Sequence, residues 1–276
     1  MQNISLLGTT VKKMRQDLGL TQDDLSDKAG ISYSTLAKLE HGGIKSPTFK
    51  TIGAIAKALE VPVDMLLLNP SVLRPVKPEF IYCDINGVLV NHWDKMFIKF
   101  NKLYGVETEE IADTLWFYNH VIDKGEMMVE EFETILQRKF SLKEKPNWRQ
   151  IYLQSVDPVK PIHELLANIS KQYKVGILSN TFPGLINEMK KKNLIPDLEY
   201  SSIVDSSTVK RIKPDPQIYE VATEKANVSK NKILFLDDLQ KNITAAVKYG
   251  WQGQVIDVKN YKKSAAELTH QLELSS

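Results

Sequence analysis

The chain has 276 residues, 42% hydrophobic and 25% charged, which suits a globular protein of two domains, or one with an insertion, rather than a disordered one. A formal net charge of +2 gives no global basic field, so any nucleic-acid binding must rest on a local patch. The single cysteine, Cys83, excludes a disulfide framework and any multi-cysteine zinc site.

No apolar run reaches the roughly 18 residues of a membrane span, and the opening residues lack the basic and apolar regions of a secretory signal. A cytoplasmic protein with no membrane partner is the expectation.

In chain order, the first signals are helical. Thr21 with Asp24 three residues on is an acidic variant of the capping box, opening a helix that should stop at Gly30. Ser32 caps a second helix that ends before Gly42 and Gly43. Ser46 followed by Pro47 reads as an N-cap with proline at the first helical position, ahead of Phe49, Ile52, Ile55, Ala56 and Leu59 at helical spacing. Asp64 should cap a last short helix through Leu68. Pro70, Pro75 and Pro78 then mark residues 69–78 as a semi-rigid linker between domains 1–68 and 79–276.

After the linker, hydrophobic runs end in polar residues. "FIYCDING" ends at Asp84, "KVGILSNT" at Ser179 and Asn180, and "KILFLDDLQKN" at Asp237 and Asp238, with Asn242 on the helix that follows. "RIKPDPQIYE" is a loop carrying Lys213. Strands alternating with helices predict a mostly parallel, doubly wound sheet, with the site beyond the carboxyl ends of its strands. Three carboxylates gathered there would repel one another without a cation, and oxygen ligands suit Mg²⁺. A lysine and a hydroxyl beside such a cation form a cradle for a phosphoryl group, which a carboxylate in the cradle can attack. Between Val90 and Pro158 the pattern is helical, and Trp93, Trp116, Tyr118 and His120 are candidates to line a chamber, although aromatics at helical spacing are ordinarily core. His92 and His120 have no metal-ligand partners at suitable spacing, and Cys83 reads as a buried structural cysteine.

Residues 4–68, through "LTQDDLSDKAGISYSTLAKLEHG", resemble the Cro and CI phage-repressor type of helix-turn-helix domain. That resemblance implies DNA as partner, read by Ser32, Tyr33, Ser34, Thr35 and Lys38 at the start of the second helix. It places Gln22 against a phosphate and lets Lys12, Lys13 and Arg15 add backbone charge, usually in a homodimer on paired half-sites. A helical protein-interaction module is the alternative.

Residues 79–258 resemble the haloacid dehalogenase superfamily, whose four motifs occur in order. The fold class is therefore α/β: an all-α helix-turn-helix domain, then a Rossmann-like domain with a parallel sheet and a helical cap at about 91–158. By that resemblance Asp84 is nucleophile and metal ligand. Asn86 takes the general acid/base position while its carbonyl ligates metal. Ser179, Asn180 and Lys213 hold the phosphoryl group, and Asp238 with Asp237 binds Mg²⁺, supported by Asn242. Asparagine cannot exchange a proton near neutral pH, which typically costs about 10²–10⁴-fold in rate. Three readings stay open: a slow phosphohydrolase, a sensor of a phosphorylated small molecule, and a dehalogenase-type hydrolase. Fusion to a repressor-like domain points to a transcriptional regulator that binds Mg²⁺ and a phosphorylated ligand, with or without slow hydrolysis; the alternative is a competent phosphatase, or dehalogenase-type hydrolase, with an accessory helix-turn-helix domain.

Overall fold

The computed structural model describes residues 4–18, 20–44, 47–59, 61, 63, 66, 76–91 and 94–274. The chain divides into two compact units, Met1–Val76 and Lys77–Ser276.

The first unit contains α1 (Ile4–Asp17), α2 (Gln22–Ala29), α3 (Tyr33–Glu40) and α4 (Phe49–Ala58). Thr21 and Asp24 form the reciprocal capping box, and Gly30 ends α2 at φ 63°, a left-handed conformation that costs glycine little. Ser32 caps α3 by accepting from the Thr35 N–H. Leu25, Leu36 and Ile55 meet in the core, fully buried, each contributing about 2 kcal/mol through loss of apolar surface to water. Helix α4 begins later than expected: Thr48, not Ser46, is its N-cap, because the Thr48 hydroxyl accepts from the Thr51 N–H at 3.1 Å. Ser46, and Asp64, Met65, Leu67 and Leu68 of the expected last helix, lie outside the described residues, as do 69–75 of the expected linker.

The second unit is built on a five-stranded, all-parallel sheet of order β3-β2-β1-β4-β5. Its strands are β1 (Phe80–Cys83), β2 (Lys174–Ser179), β3 (Ser202–Asp205), β4 (Ile233–Asp237) and β5 (Gln252–Val255). Strands β1 and β4 are buried at every position because both faces are covered. Ile81 and Cys83 join one core cluster, while Phe80 and Tyr82 join the other. Burial holds the Cys83 thiol well above its ordinary value, consistent with a structural cysteine.

Between β1 and β2 lie α5 (Asp94–Tyr104), α6 (Thr108–Asp123), α7 (Val129–Lys139), α8 (Trp148–Leu153) and α9 (Lys160–Ile169). The first four fall within the stretch, Val90 to Pro158, read as helical from the sequence. Aromatic packing of Phe100, Phe132 and Trp148 holds this group together. After β2 come α10 (Leu185–Lys191), α11 (Ser206–Val209), α12 (Pro216–Ala226), α13 (Gln240–Tyr249) and α14 (Tyr261–Gln271). No helix among the described residues is long and apolar enough to cross a membrane.

Candidate active site and DNA-facing helix

Strand register explains why the polar residues converge. Cys83 is level with Ile177 on β2 and Leu236 on β4, so one step further along each strand brings Asp84 level with Asp237. The Asp84 N–H donates to the Leu236 carbonyl at 2.9 Å, extending that pairing to the sheet edge. The turn that follows requires Gly87: its φ is +74°, and a Cβ there would lie 2.5 Å from Asp238 Oδ2. The Asn-Gly pair thus lets the backbone pass directly beneath a carboxylate.

Lys213 ties this edge together. Its buried ammonium lies 2.8 Å from Asp84 Oδ1 and 2.7 Å from Asp237 Oδ2. Burial alone would lower its pKa, but Asp237 and Asp84 more than reverse this and raise it. Asn180 holds the lysine backbone in place. Its Nδ2 donates to the Lys213 carbonyl at 2.9 Å, and its Oδ1 accepts from the Lys213 N–H at 2.8 Å. The side chain expected to hold phosphate is therefore spent on positioning Lys213. Ser179 is fully buried, its hydroxyl donates to the Asn180 carbonyl at 3.5 Å, and its nearness lowers the pKa of Asp84 a little against the larger effect of burial.

Asp84, Asp237 and Asp238 place ligand-capable oxygens within 4.8 Å of one another. Asp237 is nevertheless saturated. It accepts from Lys213 Nζ at 2.7 Å, from the Leu239 N–H at 2.8 Å, and from Asn242 Nδ2 at 3.0 Å on each oxygen. These bonds orient Lys213 and Asn242, and Asp237 remains one of the three carboxylates grouped closely enough to hold a metal. Asp84 and Asp238 are the other two carboxylates placed to hold a cation, and Asn86 lines the same cavity. Asp84 Oδ1 fits that use, since despite the nearby ammonium it has no aligned hydrogen bond. Charge points the same way, because Lys213 is the buried ammonium among the three carboxylates of Asp84, Asp237 and Asp238, and Lys241, which also lines the cavity, is exposed. Burial, augmented by Asp237 and opposed by Lys213, pushes Asp84 up to about 7. The same two influences after burial leave Asp238 at about 6. A hard cation among oxygen donors relieves both.

These groups open onto a cavity of about 410 Å³. Its floor holds Asp84, Asn86, Lys213 and Asp238, and its other wall comes from α6, α8 and the segment after β2. Of the chamber candidates, Trp116 lines it. Tyr118 packs against Phe117 and Phe132 instead, His120 is exposed, and His92 and Trp93 lie outside the described residues. The lining face of α6 is Leu115, Asn119, Ile122 and Asp123, one helical stripe that an aromatic search passes over. Tyr152 was also missed. Its hydroxyl donates to Asn86 Oδ1, and burial first, then Asp84 and Asp123, hold it neutral by raising its pKa. With its oxygen thus engaged, the Asn86 amide is a fixed hydrogen-bond donor toward the cavity. Thr181 adds a buried hydroxyl with no partner among the described residues.

On the first unit, Ser32, Tyr33, Ser34 and Lys38 are exposed along α3, and Thr35 is partly so. Ser32 bonds Ser34 and Thr35 through their hydroxyls at 3.1 and 2.7 Å. Gln22 is held on both sides: its Nε2 donates to Glu40 Oε2 at 2.8 Å, and its Oε1 accepts from the Tyr33 hydroxyl at 3.0 Å. Arg15 does not supply surface charge. It is buried and donates to both Glu40 oxygens at 2.7 and 2.9 Å, and to the Leu20 carbonyl. Lys12 and Lys13 remain exposed.

A family model described as haloacid dehalogenase-like hydrolase matches residues 81–256, and one described as helix-turn-helix matches residues 11–66. The HTH-type transcriptional regulator SutR of Escherichia coli (strain K12) is 33% identical over 76 residues, covering 27% of this chain. The chain spans 42% of the length of that curated relative. A haloacid dehalogenase family enzyme from Bacteroides thetaiotaomicron, solved with magnesium and inorganic phosphate, aligns with a TM-score of 0.57 at 20% identity, over 66% of this chain and 95% of its own. A HAD-like family hydrolase from Porphyromonas gingivalis aligns with a TM-score of 0.58 at 18% identity, over 70% of this chain and 98% of its own. At such identities the likeness is one of fold. The chain belongs to the haloacid dehalogenase-like hydrolase family and carries a helix-turn-helix domain ahead of the hydrolase fold in sequence.

Proposed function

We propose that this protein is a DNA-binding transcriptional regulator whose hydrolase domain binds Mg²⁺ and a small phosphate ester and hydrolyses the ester through an aspartyl phosphate. The observation that carries this reading is the buried Asp84, 2.8 Å from Lys213 at the floor of a 410 Å³ cavity. Asp84 and Asp238, with the Asn86 carbonyl, would hold the metal, which when bound screens the carboxylates from the incoming phosphoryl oxygens. Lys213 neutralises a second face of the phosphoryl group, while the Asn86 amide and the Thr181 hydroxyl donate to its oxygens. Asp84 attacks phosphorus, the ester oxygen leaves, and water then cleaves the acyl phosphate and restores the carboxylate. A cavity of this volume suits a metabolite rather than a phosphoprotein.

On the DNA side, the exposed hydroxyls of Ser32, Ser34 and Thr35, with Tyr33 and Lys38, form the reading surface. Gln22, anchored between Glu40 and Tyr33, is pre-set at its edge. Action in the cytoplasm as a homodimer on paired half-sites completes the proposal. Ligand binding would alter operator affinity only through different affinity for two states of the protein.

A second reading, a sensor that binds the ester without useful turnover, is favoured by one feature. The family's acid/base position is an amide locked by Tyr152. One assay separates them. With Mg²⁺, the full chain should release phosphate from small esters, and Asp84→Asn should lower the rate by about 10³-fold or more. Ester binding by calorimetry with no release above background would leave the sensor in place of the enzyme.

A further inference from the structure

The hydrolase reading leaves one chemical need unmet, a group that can give a proton to the leaving oxygen and take one from water. Asn86 cannot do either. Four carboxyl residues line the cavity: Asp84, Asp94, Asp123 and Asp238. Asp84 and Asp238 belong to the nucleophile and metal positions, and Asp94 is exposed at the start of α5. Asp123 differs from all three. It ends α6, is buried, and takes part in no ion pair among the described residues.

Its backbone is fastened to the sheet domain rather than left to the helical insertion. Ser206 Oγ donates to the Asp123 carbonyl at 2.6 Å and accepts from the Thr181 N–H at 2.9 Å. Two residues on, Lys210 Nζ donates to the Gly125 carbonyl at 2.6 Å. Gly125 has φ +60°, and a Cβ there would lie 2.6 Å from the Ser207 carbonyl, so this turn sits directly on α11. The end of α6 is thus held at a fixed place on the cavity wall, opposite the strand edge that carries Asp84.

We propose that Asp123 is the general acid and base of this enzyme, supplying from the helical insertion the proton transfers that Asn86 cannot. This rests on the phosphohydrolase reading. In the first step the protonated Asp123 carboxyl gives its proton to the ester oxygen as the phosphorus–oxygen bond breaks and the Asp84 oxygen–phosphorus bond forms. An alcohol leaves. In the second step the Asp123 carboxylate accepts a proton from water as that water attacks phosphorus and the bond to Asp84 breaks. Inorganic phosphate leaves, and both carboxyl groups return to their starting states.

The surroundings support a proton resident there. Burial pushes the Asp123 carboxyl up to about 7, outweighing the opposing pull of Lys213 and the Asn119 hydrogen bond, with Asp84 and Asp205 adding to the rise. Tyr152, whose pKa burial raises and Asp123 in turn helps raise, is neutral.

The test uses the full chain with Mg²⁺ and a series of aryl phosphates from 4-nitrophenyl to phenyl phosphate. Asp123→Asn should lower kcat for phenyl phosphate by about 10²–10⁴-fold, leave 4-nitrophenyl phosphate much less affected, and change KM little. Adding Asn86→Asp to that variant should restore phenyl phosphate turnover. Equal losses across the series, or no loss, would overturn the assignment while leaving the hydrolase standing. Wild-type protein that releases phosphate from none of the esters would overturn both. Should Asp123→Asn fail to fold, the wild-type series decides: a shallow dependence on leaving group upholds an internal acid, and a steep one refutes it.

Discussion

Each unit of this protein contains a buried network built around one cationic side chain, and the two networks end differently. In the helix-turn-helix unit, Arg15 meets Glu40, Glu40 also accepts from Gln22, and Gln22 accepts from the exposed Tyr33. Both Glu40 oxygens are bonded, and its charge is matched by that of Arg15. In the hydrolase unit, Lys213 meets Asp84 and Asp237, yet Asn242 Oδ1 and Thr181 Oγ1 lack hydrogen-bond partners among the described residues, and Asp84 Oδ1 has only the ammonium beside it. The carboxylates there also outnumber the ammonium. A closed network stabilises a fold and presents its outermost member to a partner; an open one holds unmet valence for a ligand. The cost of the second falls on stability, as is common where a site is preorganised.

The comparison can be broken at Lys213. Replacing it by alanine strands Asp84 and Asp237 without their cation, and removing one member of a buried ionic cluster costs about 3–5 kcal/mol. Denaturant unfolding followed by tryptophan fluorescence reads this unit alone, because Trp93, Trp116, Trp148 and Trp251 all lie within it. A loss below about 1 kcal/mol would show that the cluster was not holding the fold.

Glu40→Gln probes the closed network and should cost about 3 kcal/mol by stranding Arg15. Hydrogen exchange of amides in α1–α3 measures it. Burial pushes Glu40 up, but its bonds from Arg15 and Gln22 outweigh this and hold it below the ordinary glutamate value. The stabilisation is therefore complete above that ordinary value and is lost as pH falls through the lowered one. Glu40→Gln should flatten this acid-side dependence; an unchanged pH profile would mean that the pair does not govern it.

The smallest effect sharpens the contrast by its sign. Asp238→Asn removes one charge from the crowded side of the open network. In metal-free buffer near neutral pH it should raise stability slightly, by about 1 kcal/mol, where Glu40→Gln lowers it. The same fluorescence unfolding curve reports it, and a destabilised variant would mean that Asp238 is already compensated.

What was legible in the sequence follows from how each part is built. Parallel strands in register end at one edge, so an apolar run closing on Asp84, Ser179 or Asp237 announces a shared site before any coordinates exist. Hydrogen-bond capacity is harder to read. Nothing in "LSNT" says that the Asn180 amide will clasp the Lys213 backbone, or in "LDDL" that Asp237 will be saturated by Lys213, Leu239 and Asn242. The α6 wall was hidden because its stripe depends on which way a helix is rotated, and Asn119 and Asp123 look like ordinary surface polar residues. Arg15 misled for a related reason: its partner Glu40 is 25 positions away, and sequence charge does not reveal burial.

The central claim is that the strand tips form a place for one cation and one phosphoryl group, whether the protein turns the ester over or only senses it. Calorimetric titration of the full chain with Mg²⁺, in the presence of inorganic phosphate, tests it most directly. One Mg²⁺ should bind per chain, and Asp238→Asn should abolish or greatly weaken that binding while the protein stays folded. No binding by the wild-type chain, or binding untouched by Asp238→Asn, would contradict the account.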